Sequence, residues 1–381
     1  MKRFIAAVIA GFIASSISIH AAPVRHTRNL VLVVVDGVRW KELFRGADPD
    51  LLADKRYVSE IPETTQAFGG DDVQTRRARL LPFIWEVVAK QGRLYGNRDT
   101  GSQVDMRNPT WYSYPGRAEM FTGHVNPKVD SNEYGIDTDP NVFEFLARQP
   151  TLRGKVAGFA SWMPVGGIYD HKNSHALINV FPEDIAGTDL TPAEQAANEG
   201  QHLMPLMWGW GDQGERLDAA TFALAKSYMQ AHHPRLLVLD IGNGDEFAHD
   251  HRYDLYLEAL HHADAMIANL WKIVQSDPFY RGNTSLLIVP DHGRGDGAQW
   301  TSHGPKAAHS GETWLIAMGP DTPGGGELKN TTPFTEDRVA ATVARFFGFD
   351  FRLFSPDAAP ALDELMRPAS GDPVSTREKA L

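Results

Sequence analysis

The sequence predicts an α/β protein, a three-layer α/β/α sandwich on a mostly parallel central sheet. Three observations predict it. Continuous β-branched and leucine runs occur at Asn29–Val35, Leu236–Leu239 and Leu286–Val289, with a shorter one at Leu315–Met318. Such runs mark strands buried on both faces. Helical periodicity appears between and around them, at Leu80–Lys90, Val142–Arg148, Leu217–Gln230, Tyr253–Val274 and Glu336–Phe347. Strands alternating with helices form a mostly parallel sheet covered on both sides. Third, the 381 residues are 42% apolar and 22% charged, enough to bury a large core.

Along the chain, the first element is not part of the fold. Met1-Lys2-Arg3, an apolar stretch and Ala21-Ala22 read as a secretory signal peptide over residues 1–21, cleaved after Ala21. An uncleaved anchor helix is the other reading, because the apolar run borders on spanning length. Cleavage makes the protein secreted or periplasmic, with no further span. A catalytic domain over 22–365 comes next. Within it Phe181–Trp210 lacks clear periodicity and is rich in Pro, Gly, Met and Trp, so it reads as a lid inserted over the site or a long surface loop. Pro323–Asn330, with three consecutive glycines, is a loop, and 366–381 is a polar tail.

The formal charge is −11, and it becomes −13 when Lys2 and Arg3 leave with the signal. That balance disfavours a non-specific grip on nucleic acid or an anionic membrane. A small anion remains a suitable partner where bound metals supply positive charge. There are no cysteines, which excludes disulfides, thiolate ligands and a cysteine nucleophile.

The chemistry-bearing residues lie where strands end. In parallel sheets function collects at the carboxyl ends of strands. Asp36 follows the first apolar run and precedes Gly37, which permits a sharp turn; it is a metal ligand or a helix cap. Asp245 and His249 stand four residues apart, one helical turn, so both can face one ion; Asp250 and His251 are nearby substitutes. Asp291-His292 follows the run at Leu286, and Gly293 allows the chain to turn so that both reach the site. His303-Gly304 lies in the same glycine-rich segment, with His309 as a competitor. Ser113, in Ser-Tyr-Pro-Gly-Arg, sits at a tight turn feeding a helix, where unpaired N–H groups welcome an anion. It is a hydroxyl nucleophile or an N-cap.

The combination resembles the alkaline phosphatase superfamily, and most closely its type I phosphodiesterase and nucleotide pyrophosphatase branch. Five motifs appear in order over nearly the whole chain: an aspartate after the first strand, a serine before an aromatic-Pro pair, Asp-x-x-x-His, Asp-His-Gly and a later His-Gly. The run from Glu336 to Gly348 resembles the helix that commonly closes these domains. The resemblance implies two zinc ions, one on Asp245, His249 and His303, the other on Asp36, Asp291 and His292. Ser113 then lies between them as nucleophile and transient metal ligand, and Asn132 falls where that branch has an asparagine donating to phosphate. Arg117 is a second donor to the non-bridging oxygens.

The implied activity is hydrolysis of a phosphate mono- or diester through a phosphoseryl intermediate. Ser113-Tyr-Pro115-Gly-Arg117 also resembles the sulfatase signature, which implies formylglycine at Ser113 and one Ca²⁺. Against that stand Tyr114 and Gly116, larger or different from what the signature prefers, and the Asp-His late in the chain. Imidazole suits zinc; carboxylate and amide oxygens suit calcium. A metal-binding recognition protein without turnover is the reading from another class.

Overall fold

The computed structural model describes residues 25–367, apart from 171 and 209–213. The signal segment at 1–21 and the tail beyond 367 therefore lie outside the described residues. Among the described residues eleven strands form: β1 Asn29–Val35, β2 Arg93–Tyr95, β3 Val104–Asp105, β4 Val156–Ala160, β5 Leu177–Val180, β6 Leu236–Ile241, β7 Thr284–Pro290, β8 Glu312–Thr313, β9 Leu315–Met318, β10 Gly326–Glu327 and β11 Phe334–Thr335. Eight make the main sheet in the order β10-β2-β9-β7-β1-β6-β4-β5, and three make a small sheet, β11-β3-β8. Within the main sheet only β9 runs antiparallel to its neighbours β7 and β2.

Strand β1 is buried along its whole length because it lies inside the sheet, paired with β6 and β7, and is covered on both faces. Val31, Val33 and Val35 point into one core, with side chains of the helices Asp218–His232 and Tyr253–Ser276. Leu30, Leu32 and Val34 point into the other, with the helices Ser113–Thr122, Val142–Ala147 and Val339–Phe346. Side chains alternate along a strand, so one apolar run feeds both layers. Each such side chain contributes roughly 1.5–3 kcal/mol when fully buried. The three layers are those the sequence predicts.

Register positions the functional residues. Val35 pairs with Pro290, so Asp36 and Asp291 are the next residues on two adjacent parallel strands and emerge side by side. Val34 pairs with Asp240, which brings a third carboxylate to the same edge of the sheet from β6.

Several elements differ from expectation. The helix expected at Leu80–Lys90 is interrupted at its start. A helix Val73–Leu80 ends before Pro82, whose ring disfavours helical backbone at Leu81. The chain then resumes in the π-helical stretch Ile84–Val88. The Asp264 carboxylate accepts from the N–H groups of Phe83 and Ile84 at 2.8 and 2.9 Å, satisfying donors left free by the break. The closing helix begins as the 3₁₀ turn Glu336–Arg338. Much of the 181–210 segment, read as loop or lid, is the helix Pro192–Trp208, packed against Asp218–His232. Strands β4 and β5, Val-Ala-Gly-Phe-Ala and Leu-Ile-Asn-Val, are short and broken by a glycine and an asparagine, so neither forms a continuous apolar run in the sequence. Among the described residues no helix is long and apolar enough to cross a membrane.

Candidate active site

Two groups of side chains at the carboxyl edge of the sheet present ligand atoms within 4.8 Å of one another: Asp36, Asp291 and His292, and Asp245, His292 and His303. His292 belongs to both. Its Nε2 lies 3.2 Å from Asp36 Oδ1 and 3.9 Å from Asp245 Oδ1, so those oxygens are no more than about 7 Å apart. His249 joins the second group: its Nε2 is 3.0 Å from Asp245 Oδ2 and 3.1 Å from His303 Nε2. His303 Nε2 is in turn 3.8 Å from Asp245 Oδ2. Ligand atoms bonded at about 2.0–2.2 Å to one tetrahedral ion stand roughly 3.3–3.6 Å apart, close to these spacings.

Local chain geometry explains each position. Gly37 has φ +61°, and a Cβ there would lie 2.3 Å from Asp245 Oδ1 and 2.7 Å from Arg294 Nη1. Only glycine lets the chain after β1 turn this close beneath Asp245. The N–H of Gly37 donates to Asp291 Oδ1 at 3.0 Å, tying the two strand ends together. Asp36 caps no helix, since the next one, Trp40–Arg45, has Arg39 at its N-cap. Asp245 and His249 lie one turn apart on the helix Asn243–His249.

The histidines are oriented from behind. His292 Nδ1 lies 2.8 Å from the carbonyl oxygen of Gly293. His303 Nδ1 lies 2.9 Å from that of Trp111. In both rings a carbonyl that accepts the Nδ1 proton turns Nε2 toward the cluster of carboxylates. The two rings stack with centroids 3.9 Å apart. His309 stands elsewhere, its Nδ1 2.9 Å from Glu312 Oε1, and His251 packs against the Tyr57 ring.

Ser113 opens the helix Ser113–Thr122, but Tyr112 holds the N-cap position. The Ser113 hydroxyl therefore does not cap; its Oγ stands 3.1 Å from His292 Nε2 and 3.5 Å from Asp36 Oδ1. Gly116, one turn later, lets this helix press on the sheet edge: a Cβ there would sit 2.2 Å from the Asp291 carbonyl oxygen. Asn132 Oδ1 accepts from the N–H of Tyr114 at 2.9 Å, which fixes its amide beside the same helix start.

Arg117 lies deeper than a substrate donor would. Fully buried, it gives Nε and Nη2 to Asp240 at 2.9 and 2.7 Å, Nη2 to Asp36 at 3.0 Å, and Nη1 to Asp291. Arg294, also buried, donates to Asp245 and to the Trp300 carbonyl. Asp240 and Arg294 were not singled out in the sequence. The signals were present: a carboxylate ending an apolar strand, and an arginine right after Asp-His-Gly. A third unforeseen feature is Glu215, buried next to Glu246 near Asp36.

Electrostatics reflect this crowding. Burial pushes Asp36 up, but Arg117 and the bond from His292 win and hold it below the usual aspartate range. Burial likewise raises Asp245, yet Arg294, His303 and His249 hold it well below. Asp291 goes the other way, to about 7, because burial and its aspartate neighbours outweigh Arg117. Burial alone would lower His292, but Asp291 and Asp36 raise it to about 9. Burial and the adjacent His292 drop His303 to about 3. Four carboxylates, Asp36, Asp240, Asp245 and Asp291, face two guanidiniums and the His292 ring, a cluster in which acidic groups outnumber the cations and which suits a bound cation.

Sequence comparison identifies a segment of a known family. Residues 213–350 match the family model of the metalloenzyme superfamily. No curated protein sequence matches the chain. Solved structures with the same fold include the 2-O GAG sulfatase BT1596, at 13% identity and a TM-score of 0.55 over 91% of this chain and 76% of that one. The murine ectonucleotide pyrophosphatase/phosphodiesterase 5 aligns at 11% identity and a TM-score of 0.52, over 89% of this chain and all of that one. The phosphonate monoester hydrolase from Silicibacter pomeroyi aligns at 13% identity and a TM-score of 0.54, over 90% and 77%. The chain has the alkaline phosphatase-like fold of these structures, and its residues 213–350 are similar to the metalloenzyme superfamily.

Proposed function

We propose that this protein is a secreted or periplasmic zinc-dependent hydrolase of phosphate esters that works through a phosphoserine at Ser113. The observation that carries the reading is the position of Ser113 Oγ, 3.1 Å from His292 Nε2, the atom common to both ligand groups, at the first residue of a helix. The imidazoles of His249, His292 and His303 with the carboxylates of Asp36, Asp245 and Asp291 fit two zinc ions, since two of the rings are held by backbone carbonyls with Nε2 forward. Bound there, such ions lower the pKa of a hydroxyl and neutralise charge on phosphoryl oxygens. The signal-like first residues support secretion.

The chain's own groups support the rest of the chemistry. The Ser113 Oγ–phosphorus bond forms as the bond from phosphorus to the leaving oxygen breaks. Ser113 stands at the positive dipole end of the helix Ser113–Thr122, which favours negative charge on the phosphoryl oxygens, although the N–H of Tyr114 is held by Asn132 and Pro115 has none. Asn132, held through its oxygen by Tyr114, has its amide nitrogen to offer a non-bridging oxygen. Arg117 takes a different role from the one its sequence position suggested. With its nitrogens engaged by Asp240, Asp36 and Asp291, it positions those carboxylates and balances their charge. The structural relatives include a sulfatase and a phosphodiesterase, so the leaving group is set by experiment. Ser113→Ala should abolish hydrolysis of aryl phosphate esters while about two zinc ions per chain stay bound. Phosphate monoesters, diesters and sulfate esters should be assayed side by side. Sulfate turnover ahead by more than about a hundredfold, roughly 2.7 kcal/mol of discrimination, with one calcium ion and a modified Ser113, would replace this reading with the sulfatase one.

A further inference from the structure

Trp111 has an unusual backbone. Among the described residues six non-glycine residues have positive φ: Trp111, Asp170, His233, His251, His309 and Asn330. Asn, Asp and His take this left-handed backbone most readily, and five of the six are of those types. Trp111, at φ +50°, is the exception. A bulky residue stays in such a conformation only where its surroundings hold it, and this kind of strain gathers at functional sites. The indole supplies one hold: a Cβ on Gly311 would lie 2.5 Å from Trp111 Nε1, so the ring lies against bare backbone.

The second hold is Asn108. Its Oδ1 accepts from the N–H of Trp111 at 3.0 Å, from the N–H of Thr110 at 3.1 Å and from the Thr110 hydroxyl at 2.9 Å. Its Nδ2 donates to Glu119 Oε2 at 2.7 Å, and the same oxygen accepts from the Asn108 N–H at 2.7 Å. Glu119 Oε1 accepts from the N–H of Arg107 at 2.8 Å. Asn108 and Glu119 are both buried. The amide is thus fixed from both ends, and a side chain here must both accept and donate. Alanine can do neither, and an ionised aspartate has no donor for Glu119.

Glu119 belongs to the helix that Ser113 starts. The segment 107–111 therefore folds back onto the helix it enters, through Glu119, Asn108 and Trp111. At its end the Trp111 carbonyl oxygen lies 2.9 Å from His303 Nδ1. The opposite nitrogen of that ring, Nε2, lies 3.1 Å from His249 Nε2 and 3.8 Å from Asp245 Oδ2. One helix thus carries Ser113 at its first residue and, at Glu119, the anchor of the segment that aims His303.

We propose that Asn108 is a positioning residue of the metal centre, which rests on reading His303 as a zinc ligand. By holding Trp111 in its left-handed turn, Asn108 aims the Trp111 carbonyl at His303 Nδ1 and keeps Nε2 on the side of Asp245 and His249. It acts through Trp111 and His303 and needs no contact with substrate or metal.

The test compares wild type with Asn108→Ala and Asn108→Ser. Metal-free protein labelled with ¹⁵N in its histidine rings is examined by NMR and then titrated with zinc in a calorimeter. In Asn108→Ala the Nδ1–H signal of His303 should be lost to exchange with water. That of His292, held by the Gly293 carbonyl, should stay. Zinc affinity should fall about tenfold or more at one of the two sites and stay near wild type at the other. Asn108→Ser keeps one hydroxyl acceptor, should lose less, and stands in if the alanine variant fails to fold. A folded variant with an unchanged His303 signal and wild-type zinc affinity would overturn the proposal. So would loss of the His292 and His303 signals together, which marks a general loosening. Retention of both zinc ions by His303→Ala would instead overturn the ligand reading, and the ring signals of the metal-free protein would still decide whether Asn108 holds His303.

Discussion

The Nδ1 of His303 lies 2.9 Å from the carbonyl oxygen of Trp111, two residues before Ser113. The segment that starts the helix of the proposed nucleophile thus also orients a proposed metal ligand 192 positions away in the chain. The Tyr112 ring meets the His303 ring edge-on, with centroids 5.8 Å apart, and reinforces the alignment. A disturbance at residues 111–113 is transmitted to His303, and a disturbance at His303 to Ser113.

The first prediction rests on that pair. His303→Ala should remove about one of two zinc ions per chain and nearly all phosphate-ester hydrolysis, because a three-ligand set reduced to two holds zinc weakly. His309→Ala should leave the zinc content at two, since that ring pairs with Glu312. Elemental analysis of the purified variants decides it. Equal losses in both, or a loss only at His309, would reverse the ligand assignment.

Gly37→Ala tests the turn after β1. The left-handed backbone costs a non-glycine residue ~1–2 kcal/mol. The larger consequence is steric: the new methyl would lie 2.3 Å from Asp245 Oδ1, so that carboxylate must move. We expect a lower melting temperature and a loss of zinc affinity of tenfold or more. Unchanged zinc binding in a calorimetric titration would show that Asp245 tolerates the shift.

Arg117→Ala leaves Asp240, Asp36 and Asp291 buried without their shared counter-ion. Breaking a buried charge pair from one side costs ~3–5 kcal/mol. The metal-free protein should lose about that much in urea denaturation, and excess zinc should restore part of it by supplying positive charge to Asp36 and Asp291. Arg117→Lys should recover little, since one ammonium cannot reach three carboxylates as the guanidinium does. Stability equal to wild type in the alanine variant would remove Arg117 from the charge network.

Glu119 provides a pH prediction away from the ligands. Burial raises its carboxyl to about 7, although the N–H groups of Arg107 and Asn108 pull it down. Because the folded pKa lies above the unfolded value, the folded state holds the extra proton between about 4.5 and 7. Stability from this group is therefore full below the unfolded pKa and is lost as pH rises through the folded one. The stability difference between wild type and Glu119→Gln should shift by about 3 kcal/mol against the wild type from about pH 4 to about pH 8.5. Denaturation curves at several pH values in metal-free buffer read it directly, and a pH-independent difference would contradict the raised carboxyl.

The sequence alone determined the layers, because runs such as Asn29–Val35 have no solution but burial on both faces. It also determined the residue types gathered at the strand ends: Asp36 and Asp291 follow apolar strands, and Asp245 and His249 share a helical turn. Tertiary structure decided how those residues meet. The pairing of Val35 with Pro290 and of Val34 with Asp240 is a matter of register between segments about 200 or more positions apart, and nothing local encodes it. The same holds for His292, shared between two ligand groups, and for Ser113, whose hydroxyl faces His292 while Tyr112 takes the cap. It holds most for Arg117. In one dimension it is the end of a Ser-Tyr-Pro-Gly-Arg string; in three it holds three buried carboxylates on strand ends together, because a charge this deep must bond to whatever opposite charge the fold brings within reach.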